Sequence, residues 1–144
     1  MPTIREMTIA DHAAVMDVLR QTTGVRLREA DSPAAIQRYL ERNPGLSFVA
    51  EESGQPVGCI MSGHDGRRGY LQHLAVLPAF RRRGIGQALV GRCIERLANF
   101  GILKSHIDVL IDNEPAATFW SKLGWEMRTD IRRFSFISSG GDNV

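Results

Sequence analysis

The stretch Val76-Leu77-Pro78-Ala79-Phe80-Arg81-Arg82-Arg83-Gly84-Ile85-Gly86-Gln87-Ala88-Leu89 constrains the fold more than any other part of the chain. Before it, Tyr70 to Val76 reads as an apolar strand that Pro78 ends. After it, Ile85, Leu89 and Cys93 fall on one stripe of a helix, with Val90, Ile94, Leu97 and Ala98 beside it and Arg92, Glu95, Arg96 and Asn99 facing away. The side-chain period changes from 2 to 3.6 within a few residues, so a strand must pass into a helix here. The junction is made of arginine and glycine, which suits a phosphate. The first turn of a helix leaves backbone N–H groups unpaired and carries partial positive charge. Gly84 and Gly86 let the backbone approach an anion, and Arg81, Arg82 and Arg83 add full charges. Two plainer readings stand beside this one: a solvated arginine turn, and glycines placed for tight packing. A dinucleotide site fits less well, since Leu89 stands where its third glycine would be.

The remaining pattern extends the same alternation of strands and helices. Thr3 to Met7 can form a first strand, Thr8 to Asp11 matches a capping box, and Ala14, Val15, Val18 and Leu19 recur at helical spacing up to Gly24. Val25 to Asp31 is a polar loop, Ser32-Pro33 caps a second helix with Ile36, Tyr39 and Leu40 on its apolar stripe, and Asn43-Pro44-Gly45 stops it. Leu46 to Glu51 and Gln55 to Ser62 flank Ser53-Gly54 as a hairpin, and Gly63 to Gly69 is a turn-rich link to the strand at Tyr70. Beyond Gly101, Ile107 to Ile111 is a short apolar strand, and Asn113-Glu114-Pro115 opens a helix that closes at Gly124. Trp125 to Asp130 and Arg132 to Ile137 alternate as a last pair of strands. The order is βααβββαβαββ, an α/β (α+β mixed) fold with a mixed, mostly antiparallel central sheet of about seven strands and helices on both faces. Residues 1–137 make one domain and 138–144 a flexible tail.

Composition limits the function classes. With 144 residues, 43% hydrophobic and 24% charged, the chain can bury a core without disulfides or metal. Cys59 and Cys93 lie in apolar runs without metal-ligand spacing and read as small buried hydrophobes, so no metal is expected. The start, Met1 to Glu6, is not a signal segment and no later run spans a membrane, which makes a reducing cytoplasm the expected location. A net charge of +2, with no aromatics interleaved among the arginines, argues against nucleic acid.

Arg81-x-x-Gly84-x-Gly86 after Leu74-Ala75-Val76 resembles the acetyl-CoA signature of the GNAT N-acetyltransferase superfamily. Asn113, Ala117 and Phe119-Trp120-x-x-Leu123-Gly124-Trp125 resemble the family's second segment, at the proper separation. The resemblance covers nearly the whole chain and is closest to small bacterial members of the YpeA type. It implies that acetyl-CoA is the cosubstrate and that its pantetheine arm enters beside the central strand, on backbone groups of Leu74, Ala75 and Val76. It further implies that the pyrophosphate lies on amides from Arg82 through Gly84, Ile85 and Gly86 to Gln87 and Ala88, with Arg81 and Arg83 reaching outer phosphates. Asn113 would hold the arm, with Phe119 and Trp120 packed along it. Without the motif, Leu74, Val76, Phe119 and Trp120 read equally well as core.

The implied reaction is direct attack of a neutral amine on the thioester, in a ternary complex, with the amine carried by a small molecule or peptide. The amine must lose a proton, the oxyanion needs a donor such as a backbone N–H near Leu74 to Val76, and the thiolate accepts a proton. The family often has tyrosine as general acid where Trp120 stands, and an indole N–H only donates hydrogen bonds. Tyr70, with Gln72 on the same face, occupies the place of the family's usual base and could anchor a relaying water. By alternation His73 faces the other side and reads as a packed histidine, while His64, Asp65 and Glu51 are reachable alternatives. The loop Thr23 to Asp31 and the second helix should meet the acceptor, with Arg26, Arg28 and Glu29 as binding groups or plain solvated surface. The alternative function is a coenzyme-A-binding sensor or partner module without efficient turnover. The last strand could pair across a homodimer, though no residue demands it.

Overall fold

The computed structural model describes residues 2–144. Its first strand, β1 (Thr3–Glu6), leads through a turn at Ile9–Asp11 into α1 (His12–Arg20). That turn is fixed by Asp11, whose carboxylate accepts from the Thr8 N–H at 2.8 Å and from the Arg5 guanidinium at 2.8 and 2.9 Å. A second turn at Glu29–Asp31 precedes α2 (Pro33–Arg42), where Ser32 Oγ accepts from the Ala35 N–H and Pro33 takes the first helical position.

Next come β2 (Phe48–Glu52), β3 (Gln55–His64) and β4 (Gly69–Val76), then α3 (Ile85–Asn99), β5 (Ser105–Ile107) and α4 (Glu114–Lys122). Ser53 and Gly54 both have positive φ, 53° and 77°, the geometry a two-residue hairpin needs to match strand twist. The sheet runs β1-β2-β3-β4-β5, antiparallel except for the parallel pair β4–β5.

Alternation along β2 and β3 divides the core into two layers. Phe48 and Ile60 face α3, with Leu89, Cys93 and Leu97 packed onto them. Val49, Cys59 and Met61 face the other way, under Val15 and Leu19 of α1 and Ile36 of α2. Both cysteines are free and buried. Among the described residues no helix is long and apolar enough to cross a membrane.

Three expectations are corrected. The sheet has five strands, not seven: Trp125 to Asp130 and Arg132 to Ile137 form no strand. Alternation gives a segment two faces but does not supply a partner, and Phe134 and Phe136 stand 90% exposed. The expected strand Ile107 to Ile111 is instead Ser105–Ile107, so the sheet edge is too short to template a further ladder. Arg133 meets Asp108 at 2.7 Å, Trp125 packs edge-on against Trp120 at 4.6 Å between ring centroids, and the Trp125 N–H donates to the Trp120 carbonyl at 3.1 Å, contacts that tie the segment to the body without a ladder. Third, the period of β4 breaks. Cys59 pairs Ala75 while Met61 pairs Gln72, so β4 carries one extra residue there. This β-bulge gives His73 a φ of +53° and redirects its side chain.

Candidate functional site

The sequence places a strand, an arginine–glycine turn and a helix in succession, and the sheet turns that succession into a cleft. β4 and β5 pair only from Gly69↔Ser105 to Leu71↔Ile107, whereas β4 continues to Val76. From Gln72 onward β4 therefore has no neighbour on that side, and in an antiparallel ladder with β3 every second residue turns its N–H and C=O outward into the gap. The opening has a volume of about 1310 Å³ and runs from the α1–α2 loop, past β4, to the start of α3 and the flank of α4.

Gly84 is the N-cap of α3, with φ of +79° and no cap from a side chain. The first helical bond is Ala88 N–H to the Gly84 carbonyl at 3.0 Å, so the N–H groups of Ile85, Gly86 and Gln87, three residues that line the cleft, have no acceptor within the helix. Arg82 also has positive φ, 63°, which coils the turn toward those amides. The two glycines have different reasons. A Cβ on Gly84 would meet nothing within 4 Å, so that glycine answers to the left-handed backbone; a Cβ on Gly86 would lie 3.3 Å from Phe119, so that one answers to close packing of α3 against α4.

Tyr70, Leu74, Ala75, Val76, Arg81, Arg82, Gly84, Ile85, Gly86, Gln87, Asn113, Phe119 and Trp120 all line this one cleft. Arg83 and Ala88 do not: Arg83 lies over the Phe80 ring at 5.1 Å, and the Ala88 amide is spent inside the helix. Arg81 Nε donates to the Val76 carbonyl at 2.9 Å, which ties the arginine turn to the end of β4. Asn113 caps α4, its Oδ1 accepting from the Ala116 N–H at 3.2 Å, and Gly24 of the α1–α2 loop lies so close that a Cβ there would be 2.5 Å from Asn113 Nδ2. The loop thus reaches α4 across the cleft. Trp120 is 7% exposed, edge-on to both Phe119 and Trp125.

Tyr70 is half exposed at the other end, and the parallel register sets His106 beside it, with ring centroids 5.8 Å apart. His106 is not legible in the sequence as a site residue, because its only signal is the register of two strands distant in the chain. Tyr39, from α2, lines the same end; burial pushes its phenol up to about 12, and it serves as a neutral hydroxyl. The three alternatives to Tyr70 have other tasks. Asp65 Oδ1 accepts the N–H groups of Arg67 and Arg68 at 2.8 and 2.9 Å, bonds that hold its carboxyl below the ordinary range. His64 Nδ1 accepts from the Gly66 N–H at 3.0 Å, and Glu51, outside the cleft, pairs with Arg5 at 2.6 Å.

Comparison with known proteins agrees with this architecture. The family model described as Acetyltransferase (GNAT) family matches residues 12–125. An acetyltransferase of Sodalis glossinidius is 39% identical over 101 residues, 70% of this chain and 71% of the relative. One of Pectobacterium atrosepticum is 41% identical over 96 residues, 67% of this chain and 68% of the relative. The PaiA N-acetyltransferase of Thermoplasma acidophilum, solved with coenzyme A, superposes with a TM-score of 0.80 at 20% identity, over 89% of this chain and 91% of that one. A split sheet beside an uncapped helix start, and a family match spanning both, make this chain a member of the GNAT acetyltransferase family.

Proposed function

We propose that this protein transfers the acetyl group of acetyl-CoA to a primary amine of a small molecule or peptide, by direct attack in a ternary complex. The observation that carries the reading is the pairing of two unmet sets of donors: the amides of Ile85, Gly86 and Gln87 at the head of α3, and the open flank of β4 from Gln72 to Val76. The first set fits a diphosphate, since main-chain N–H groups and the helix dipole both favour an anion there. The second fits the amides of a pantetheine arm, which can hydrogen-bond along a strand that lacks its neighbour. Coenzyme A in the PaiA enzyme is consistent with this use of the fold.

Each residue then has a task. The α3 amides, with Arg81 and Arg82 beside them, hold the diphosphate; Leu74, Ala75 and Val76 align the arm; an outward amide of β4 faces the thioester oxygen, where it stabilises the charge that develops on attack. Phe119 forms the apolar wall, and Asn113 offers its Nδ2 to the arm after Gly24 moves aside. The acceptor amine comes in from the side of Tyr39, Tyr70 and His106. A cytoplasmic location and the absence of nucleic-acid and membrane partners belong to the same reading. So does assembly as a homodimer.

The test joins binding to turnover. Calorimetric titration should show saturable acetyl-CoA binding, and a panel of amines, lysine peptides and free peptide N-termini should show amine-dependent thiol release. No heat on titration sinks the reading. Binding without turnover on any acceptor favours the second one, a coenzyme-A-responsive module, which the buried and acid-incompetent Trp120 supports.

A further inference from the structure

Strict alternation would put His73 on the α3 face of the sheet, opposite Tyr70 and Gln72. The bulge in β4 prevents this. With one extra residue between Gln72 and Ala75, His73 turns toward the α1 and α2 side, at φ of +53°. A non-glycine residue in that region is strained and persists only where its surroundings hold it. Four elements do so here. Asp31, from the turn before α2, places Oδ1 2.6 Å from His73 Nε2, with the side chains 10% and 16% exposed. Asp31 Oδ2 accepts from the Arg28 N–H at 2.9 Å, and the Asp31 carbonyl meets His12 Nε2, from α1, at 2.7 Å. From β3, the Cys59 thiol donates to the His73 carbonyl at 3.3 Å, and from α2 the Tyr39 phenol lies against the neighbouring Gln72. Asp31, His12, Cys59 and Tyr39 are the titratable groups presented to His73 by these elements.

A carboxylate only accepts, so Nε2 of His73 carries the ring proton and Nδ1 keeps its lone pair. No described side chain leaves a buried nitrogen or oxygen unpartnered, and Nδ1 has no protein partner among the described residues. It therefore opens on the cleft that His73 lines between Gln72 and Leu74, at the place where β4 loses its neighbour.

We infer that His73, oriented by Asp31, is the base that takes the proton from the acceptor amine. The inference rests on the acetyl-transfer reading above. The acceptor's ammonium N–H proton passes to Nδ1, leaving a neutral amine and an imidazolium stabilised by the Asp31 carboxylate. The amine lone pair forms the C–N bond at the acetyl carbon, the C–S bond breaks, and the thiolate leaves with the sulfur electron pair. The surplus proton on the new amide nitrogen goes to the thiolate, and the imidazolium returns its own to solvent. Nothing is oxidised or reduced.

The test uses three variants of the full chain. His73→Gln should lower kcat by about 10²–10⁴-fold, leave the acetyl-CoA Kd within about twofold, and abolish the acidic limb of the kcat/KM profile. His73→Gly suits the positive φ and guards against misfolding; added imidazole should restore part of its activity, which a packing role would not allow. Asp31→Asn offers an N–H to Nε2 and should reverse the ring tautomer seen by ¹⁵N NMR while lowering kcat. A His73→Gly protein with wild-type kcat overturns the assignment, as does a loss that imidazole leaves untouched while acetyl-CoA binding weakens in parallel. Wild-type protein silent toward every amine overturns the parent reading together with this one; an active wild type matched by His73→Gln overturns this one alone.

Discussion

Gly84 and Gly86 stand two residues apart in one signature, yet their surroundings predict opposite responses to alanine. At Gly84 the backbone φ is +79°, and an added Cβ would touch nothing within 4 Å. The only penalty is the left-handed backbone, about 1–2 kcal/mol for an L-residue, which for a chain of 144 residues lowers Tm by roughly 3–8 °C. Gly86 is helical, so alanine there gains up to about 1 kcal/mol of backbone entropy. Against that, the new methyl would sit 3.3 and 3.4 Å from two ring carbons of Phe119, closer than ordinary contact. The two effects nearly cancel in stability, but Phe119 must shift by a few tenths of an ångström at the wall of the cleft. Gly84→Ala should therefore melt early and keep most of its acetyl-CoA affinity once folded, because the amides of Ile85, Gly86 and Gln87 remain in place. Gly86→Ala should melt near the wild-type temperature and bind acetyl-CoA more weakly. Gly86→Val adds overpacking of about 1–3 kcal/mol and should lose both. Differential scanning calorimetry with isothermal titration on the three variants decides the matter. A neutral Gly84→Ala beside a strongly destabilised Gly86→Ala would refute the division of labour between the glycines.

Burial and charge give two further outcomes. Burial pushes the Cys59 thiol up to about 12 and the Cys93 thiol up to about 11, so neither ionises near neutral pH; Ellman's reagent should find no fast thiol in native protein and both in denaturant, leaving the thiol-release assay free of background. The Arg5 guanidinium holds the Asp11 carboxyl below the ordinary carboxylate range, so its contribution is complete above a pH of about 3.9 and fades as pH falls through the lower folded value; Asp11→Asn should cost about 2 kcal/mol at pH 7 and flatten the acid limb of the stability curve in urea titrations.

Local chemistry in the chain specifies a large share of the fold. The change of period at Pro78 to Ile85, the Ser53-Gly54 turn and the Ser32-Pro33 cap each depend on residues within a few positions of one another, and each forms as the residue types require. The same locality makes Arg81, Gly84 and Gly86 readable as a site, since an uncapped helix start is a property of one segment. Features that depend on a partner far along the chain are not readable in this way. Trp125 to Ile137 has the alternation of a strand pair, but pairing needs an edge, and β5 offers three residues. His106 joins Tyr70 only through the parallel register of β4 and β5. Alternation assigns His73 to the opposite face because a period of two assumes an unbroken ladder. The extra residue that breaks the ladder is set by how β3 and β4 align across the sheet, and the carboxylate that meets the redirected ring lies 42 positions earlier. The phosphate-binding half of this cleft is thus written in consecutive residues, whereas its proton-handling half exists only after the sheet has chosen its register.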